Sequence, residues 1–290
     1  MNLRGMTALV TGASSGIGEA MAHQLAERGA DVILTARRRD RLDALASILR
    51  DAHGVRVDVI PLDLGTPGAA GELFFRTEGE GRRVDVLINN AGFGAHDRFA
   101  DLAWDTTASQ LQLNVVSLTE LTHRFVRAML GRDRGFVLNV ASVGAYMPVP
   151  SYATYAAGKA YVRNFTEALS FELRGTGVHA CCLNPGGTAT EFMSVAGHDL
   201  PRLARMTLMS PARCARIGLR ALFAGRRNVV AGWSNVFATL LLRLLPRFAL
   251  ARLAAIVMNA PPPIATRDAA TRGCRLLGSG ASSGDVGSAA

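Results

Sequence analysis

The chain has 290 residues, 49% of them hydrophobic, and 32 Lys and Arg against 23 Asp and Glu give a formal charge of +9. That length and apolar content suit one α/β domain and call for no second one. The basic residues are scattered singly through helical stretches without a nucleic-acid motif or aromatic stacking array, so a nucleic-acid partner is set aside; the excess charge bears instead on weak adhesion to polyanions or anionic lipid.

In chain order, Met6–Val10 reads as a short apolar strand, and Thr11-Gly12-Ala13-Ser14-Ser15-Gly16-Ile17-Gly18 follows it directly, opening a helix over Glu19–Arg28. Strand, glycine turn and helix form a unit whose backbone N–H groups can approach a pyrophosphate at the positive end of the helix dipole. The chain enters this strand almost at once, which predicts that no signal peptide precedes it. A second strand through Val32–Thr35 ends in Ala36-Arg37-Arg38-Arg39. An acid at that place would take a ribose 2′-OH, whereas arginine matches a 2′-phosphate with paired donors, and Asp31 lies too early in the strand to serve. Arg37 and Arg38 therefore predict NADP(H) in preference to NAD(H); the bland alternative is a solvated basic helix start. A third strand, Val55–Ile60, leads to Leu62-Asp63-Leu64, where Asp63 on its own reads as a loop acid or helix cap. Further strands over Val84–Ile88, Phe136–Val140, Val178–Leu183 and Asn228–Ala231 predict a doubly wound parallel sheet.

Lys159 is the only lysine, against thirty-one arginines, and stands four residues after Tyr155. A position that kept lysine needs a compact ammonium rather than a planar fork. On a helix the two share a face, about 5 to 6 Å apart at Cβ. A cation beside a phenol favours the phenolate, and lowering a tyrosine by ~2 to 3 pKa units takes roughly 3 to 4 kcal/mol, so the pair predicts a tuned proton donor. Ser142, just past the fifth strand, and Asn114 read on their own as a turn serine and a solvent-facing helix residue.

Taken together these segments resemble the short-chain dehydrogenase/reductase family from about Thr7 to about Val230. Thr11–Gly18 matches its cofactor turn, Asn89-Asn90-Ala91-Gly92 the motif ending its fourth strand, and Asn114, Ser142, Tyr155 and Lys159 its catalytic tetrad. Pro185-Gly186 with Thr188 and Thr190 matches the segment that embraces the nicotinamide. The resemblance implies a Rossmann-type sheet of about seven strands with helices on both faces. It also implies cofactor contacts from Gly12, Ser14, Ser15, Gly16, Ile17, Gly18, Arg37, Arg38, Asp63, Leu64, Asn90, Ala91 and Gly92, and from Asn114, Tyr155, Lys159, Pro185, Gly186, Thr188 and Thr190. In that scheme Tyr155 exchanges a proton with a small-molecule carbonyl or alcohol, Ser142 orients its oxygen, Lys159 tunes the phenol and holds ribose hydroxyls, and Asn114 fixes a water. Gly158 stands where the family usually has serine, and Gly187 where proline is frequent.

The four cysteines show no metal-ligand spacing and read as buried thiols of a reducing compartment, hence a cytoplasmic protein with no metal. Residues 1–232 are expected to form the catalytic domain, 233–260 an apolar helical extension, and 261–290, rich in Gly, Ala and Ser, a disordered tail. In the extension Trp233, Val236, Phe237, Leu240, Leu241 and Leu244 recur at helical spacing, while Arg243, Pro246, Arg247 and Arg252 interrupt it and argue against a membrane span. Three readings stay open: packing on the core or a second subunit, a wall of a greasy pocket, or an anchor lying on a membrane surface. The expectation is an NADP-dependent oxidoreductase of ketones, aldehydes or alcohols, working as a homo-oligomer. A long-chain acyl or steroid-like ketone reductase at a membrane, or a non-catalytic NADP-binding peripheral protein, are the alternatives.

Overall fold

In the computed structural model, residues 1–192, 196–197, 208–242, 244–258 and 260 are described. Seven strands form one sheet in the order β3-β2-β1-β4-β5-β6-β7: β1 Thr7–Thr11, β2 Asp31–Ala36, β3 Val57–Pro61, β4 Val86–Asn89, β5 Gly135–Val140, β6 Val178–Asn184 and β7 Asn228–Val230. Every pairing is parallel.

Side chains of the strands sort by the two-residue period into two cores. Ala8, Val10, Val32, Leu34, Val86, Ile88, Leu138 and Leu183 face α1 (Gly16–Glu27), α2 (Arg39–His53) and α7 (Pro211–Phe223), while Leu9, Ile33, Leu87, Val137 and Ala180 face α3 (Ala69–Phe75), α5 (Leu118–Leu130) and the end of α6 (Ala153–Glu172). Near-continuous apolar strands buried on both sides are what a parallel sheet with helices on each face requires. The chain reverses its winding between β1 and β4, which opens a crevice at the carboxyl ends of those strands. α1 starts at Gly16 rather than Glu19.

One feature lay outside the sequence reading. A π-helical segment, Gln112–Ser117, joins α4 (Trp104–Leu111) to α5. The apolar extension is broken at Pro246 into α8 (Trp233–Leu242) and α9 (Arg247–Val257). Packing of its apolar face onto this chain's own core is overturned: Trp233, Phe237, Leu240, Leu241 and Leu244 are all exposed, and among the described side chains α8 and α9 bury only Thr239, Leu250 and Ala254. The short helices touch the body through one narrow stripe each, leaving the broad side outward. Among the described residues no helix is long and apolar enough to cross a membrane. The expected tail, 261–290, lies outside the described residues.

Candidate active site

The crevice is built first from backbone. Gly12 and Gly16 adopt φ of +64° and +63°, the left-handed region where a side chain is strained. A Cβ on Gly12 would lie 2.9 Å from Ala91 Cα, one on Gly16 2.9 Å from Thr190 Cγ2, and one on Gly18 2.4 Å from the Gly12 carbonyl oxygen. The turn is thereby clasped between the end of β4 and the segment after β6. Thr11 Oγ1 accepts from the backbone N–H of Asn90 and Ala91, both at 3.0 Å, and donates to the Ile88 carbonyl. The Asn90 amide donates to the carbonyls of Thr11 and Gly12 at 3.0 and 3.2 Å, so its side chain staples the turn. Ser15 caps α1 without a side-chain cap bond, and the first-turn N–H groups, which have no acceptor within the helix, stand where β1 ends. Ile17 packs on the core behind.

At the end of β2, Arg38 and not Arg37 reaches the turn. Arg38 donates to Ser14 Oγ at 3.2 Å and to the Ser14 carbonyl at 3.4 Å, and pairs with Glu191 at 2.9 Å. Arg37 is exposed, with no hydrogen bond or ion pair to the turn among the described residues. Arg41, one helical turn on, lies 3.8 Å from Glu191. The Arg38 hydrogen bond, with Arg41 and Ser15 adding to it, holds the Glu191 carboxyl below the usual carboxylate range. Neither Glu191 nor Arg41 was singled out from sequence; the signal available was an acid directly after Thr190 facing a cluster of arginines. Asp63 is exposed and accepts from the Gly65 N–H at 2.9 Å, while Leu64 is buried and its carbonyl accepts from Ser117 Oγ at 2.6 Å, so Leu64 serves the core.

The reacting end of the crevice gathers Ser142, Tyr155, Lys159 and Asn114. Ser142 caps a short 3₁₀ turn over Val143–Tyr146, accepting from the Gly144 N–H at 3.1 Å, and its hydroxyl hydrogen-bonds the phenol of Tyr155. Lys159, one turn along α6, is 4% exposed and donates to the Val140 carbonyl at 2.8 Å, its Nζ 5.7 Å from the Tyr155 ring centroid. Asn114 sits in the π segment, where its amide donates to the Phe93 carbonyl at 2.8 Å and its oxygen accepts from the Phe93 N–H at 3.2 Å. It is buried, not solvent-facing, and both its ends hold the loop after β4. A Cβ on Gly92 would meet Asn114 Oδ1 at 2.8 Å and Lys159 Nζ at 3.5 Å, so this glycine lets the three groups converge. Buried Gly158 allows similar closeness on α6, where a Cβ would sit 3.3 Å from Val115.

The electrostatics correct one expectation. Tyr155 keeps some surface exposure, but atoms packed round its hydroxyl strip away water and push it up to about 12, with the Ser142 hydrogen bond offsetting part of that. Burial likewise brings Lys159 down to about 8. The expected depression of the phenol by its neighbouring ammonium is therefore outweighed: desolvation acts on both groups, and the ammonium points to Val140.

Beside Tyr155 stands an apolar, aromatic wall. Val149, Tyr152, Ala156 and Ala196 form a buried cluster with Met147, Phe192 and Met258 packed against it. Phe192 and Tyr152 lie 5.2 and 5.9 Å from the Tyr155 ring, centroid to centroid. Thr190 Oγ1 accepts from the Phe192 N–H, Thr188 Oγ1 donates to the Gly186 carbonyl, and the Pro185 carbonyl accepts from the Val143 N–H, so the segment after β6 is tied to the Ser142 loop. Most residues between Phe192 and Leu208 lie outside the described ones. Among those described, no cluster of His, Cys, Asp and Glu could hold a metal ion. A dinucleotide fits: glycines clear a path for its backbone contacts, α1 offers free N–H groups, and arginine flanks the turn.

Comparison with known proteins agrees. A family model described as short chain dehydrogenase matches residues 6–200. A 7β-hydroxysteroid dehydrogenase of Collinsella aerofaciens is 30% identical over 240 residues, covering 81% of this chain and 90% of that protein. A solved structure of a 7β-hydroxysteroid dehydrogenase superposes with a TM-score of 0.81 at 28% identity, covering 88% of this chain and all of that one. A short-chain dehydrogenase of Sphingobium yanoikuyae in complex with NADPH gives 0.71 at 29% identity, covering 97% and 98%. With the family's motifs lying together on one rim of its sheet and its model matching two thirds of the sequence, the chain belongs to the short-chain dehydrogenases and is an oxidoreductase of alcohol and carbonyl groups.

Proposed function

We propose that this chain interconverts a bulky apolar ketone or aldehyde and its alcohol, using NADP(H) in preference to NAD(H), with Tyr155 as general acid/base. The observation that carries the reading is the convergence of Tyr155, Ser142 and Asn114 on Lys159, buried behind the phenol and bonded to the Val140 carbonyl. A phenol held near 12 is fully protonated at neutral pH, which suits a donor to a developing alkoxide. A bound nicotinamide supplies or accepts the hydride. Ser142 hydrogen-bonds the substrate oxygen and aims it at the phenol. Lys159, its pKa near 8, can pass a proton toward solvent and hold ribose hydroxyls. Asn114 acts by fixing the Phe93 backbone, and Arg38 with Ser14 takes the 2′-phosphate, which a planar guanidinium fork matches.

Tyr152, Phe192, Met147, Val149 and Met258 beside Tyr155 support a large apolar substrate, as does the name of the steroid dehydrogenase relative. A second reading, reduction of long-chain acyl ketones, rests on the same wall. Expected self-association and a cytoplasmic location belong to this proposal. It is tested by following NADPH and NADH oxidation with a panel of steroid, long-chain and small ketones. Turnover faster with small polar ketones than with steroid or acyl ones would overturn the substrate class, and no turnover with any of them the enzymatic reading.

A further inference from the structure

We infer that the outward face of α8 and α9 is a membrane-surface binding site, seating this chain on the headgroups and upper acyl chains of an anionic bilayer. Trp233 is 86% exposed, Phe237 71%, Leu244 79% and Ile256 78%, and Leu240, Leu241, Phe248 and Leu253 are exposed with them. Isolated exposed apolar side chains are ordinary; this many large ones on two consecutive short helices form a patch that marks an interaction surface. The opposite side of the pair is already used. Leu250 and Ala254 are buried, and Met258 packs with Val149, Tyr152 and Ala156 next to Tyr155. The buried side of α9 thus leads into the wall beside Tyr155 while both helices offer apolar groups outward.

Charge decides between a bilayer and a second copy. Residues 1–199 hold nineteen Lys and Arg against twenty-one Asp and Glu, whereas residues 200–290 hold thirteen Arg against two Asp. From 200 to 267 no acid occurs at all, beside eleven arginines. On α9, Phe248, Arg252 and Ile256 follow one another at four-residue spacing, so an exposed arginine stands on the same side as two exposed apolar groups. Two copies meeting face to face would oppose arginine-rich, acid-free segments with no carboxylate to pair them. An anionic lipid surface accepts both components, apolar groups below the headgroup level and arginines snorkelling to phosphate. Helices of ten and eleven residues lie on such a surface and do not cross it.

The test uses the full chain and needs no turnover, so it stands apart from the proposed activity; Tyr155→Phe should bind lipid like the unmodified protein. Cosedimentation with phosphatidylcholine vesicles containing phosphatidylglycerol is expected to exceed that with phosphatidylcholine alone and to weaken with salt. Trp233 fluorescence, read in a Trp104→Phe background, should shift to the blue on binding. The pair Trp233→Ser/Phe237→Ser should lower partitioning at least about tenfold, as removal of two large buried groups requires. Phe248→Ser/Ile256→Ser does the same from the other helix, and both pairs change exposed positions, so folding is checked by an unaltered melting curve. Equal, absent or variant-insensitive vesicle binding overturns the inference. So does a full chain indifferent to vesicles whose dimer is split by these substitutions in analytical sedimentation, which would make the face a contact between copies.

Discussion

At Tyr155, the atom at stake is one oxygen. Replacing Tyr155 by Phe keeps the ring between Tyr152 and Phe192 and deletes only the hydroxyl paired with Ser142. Turnover is expected to fall by at least roughly 10² to 10⁴, the range for a lost general acid, with NADPH affinity kept within a few-fold; steady-state kinetics and a fluorescence titration read the two separately. Lys159→Arg keeps a charge and changes its shape. The ammonium is 4% exposed, bonded to the Val140 carbonyl, with Gly92 leaving little room beside it. A planar fork has no place there, and loss of activity with a lower melting temperature is the expected result; an active, stable arginine variant would contradict it. For the cofactor, Arg38→Ala should remove most of any preference for NADPH over NADH, about tenfold or more from a charge-assisted bond of roughly 1.5 to 3 kcal/mol, while Arg37→Ala should change it little. Kd values for both cofactors decide this, and equal effects of the two substitutions would show that the difference in their placement is irrelevant.

Among the elements, the π segment is the unusual one. Gln112–Ser117 widens the helix between α4 and α5 and turns Asn114 inward, where its amide satisfies both backbone groups of Phe93. π-bulges often mark functional sites because they rotate one side chain off the helical repeat. Asn114→Leu would leave the Phe93 N–H without its partner and the carbonyl with only the Gln110 amide at 3.4 Å, at a cost of about 1 to 3 kcal/mol for the N–H left unsatisfied. Urea denaturation should show that loss, and kcat should drop because the loop after β4 that carries Gly92 slackens beside Lys159. A variant as stable as the parent would mean that the clamp is incidental. The end of β2 teaches a related point about elements: α2 begins at Arg39, and Arg38 stands at its N-cap with extended backbone, which aims it at the turn while Arg37 points to solvent.

For the whole molecule, buried thiols set the alkaline limit. Cys181, Cys182 and Cys214 are each pushed by burial from an ordinary value of 9 up to about 12. Their folded pKa exceeds the unfolded one, so the stability they contribute is complete below pH 9 and is lost as pH rises from there through 12. Lys159 acts oppositely: lowered from 10.5 to about 8, it costs stability below pH 8 and relieves that cost as pH rises toward 10.5. One amine cannot balance three thiols, joined above pH 10 by Tyr152 and Tyr155, both raised to about 12. Denaturation midpoints in reducing buffer should hold or rise slightly from pH 8 to 9 and then fall steeply, each thiol adding a slope approaching ~1.4 kcal/mol per pH unit. Cys181→Ala should make the fall shallower; an unchanged slope would show that the thiols titrate normally.

Much of this was already written in the chain. Short continuous apolar runs marked the buried strands, glycine spacing at Gly12, Gly16 and Gly18 marked the turn, and the four-residue step from Tyr155 to Lys159 placed both on one side of α6. Each depends on a few neighbouring residues, so a linear pattern suffices. What only the tertiary structure decided depends on groups far apart in sequence. Whether Arg37 or Arg38 meets Ser14 and Glu191, how Asn114 grips Phe93 across 21 positions, and whether Trp233 and Phe237 find a partner in this chain all follow from how distant elements dock. The phenol of Tyr155 is the sharpest case. Its neighbour in sequence is a cation, which favours ionisation, but burial by Ser142, Tyr152 and Phe192 removes the water that would stabilise the charge, and desolvation outweighs the neighbour.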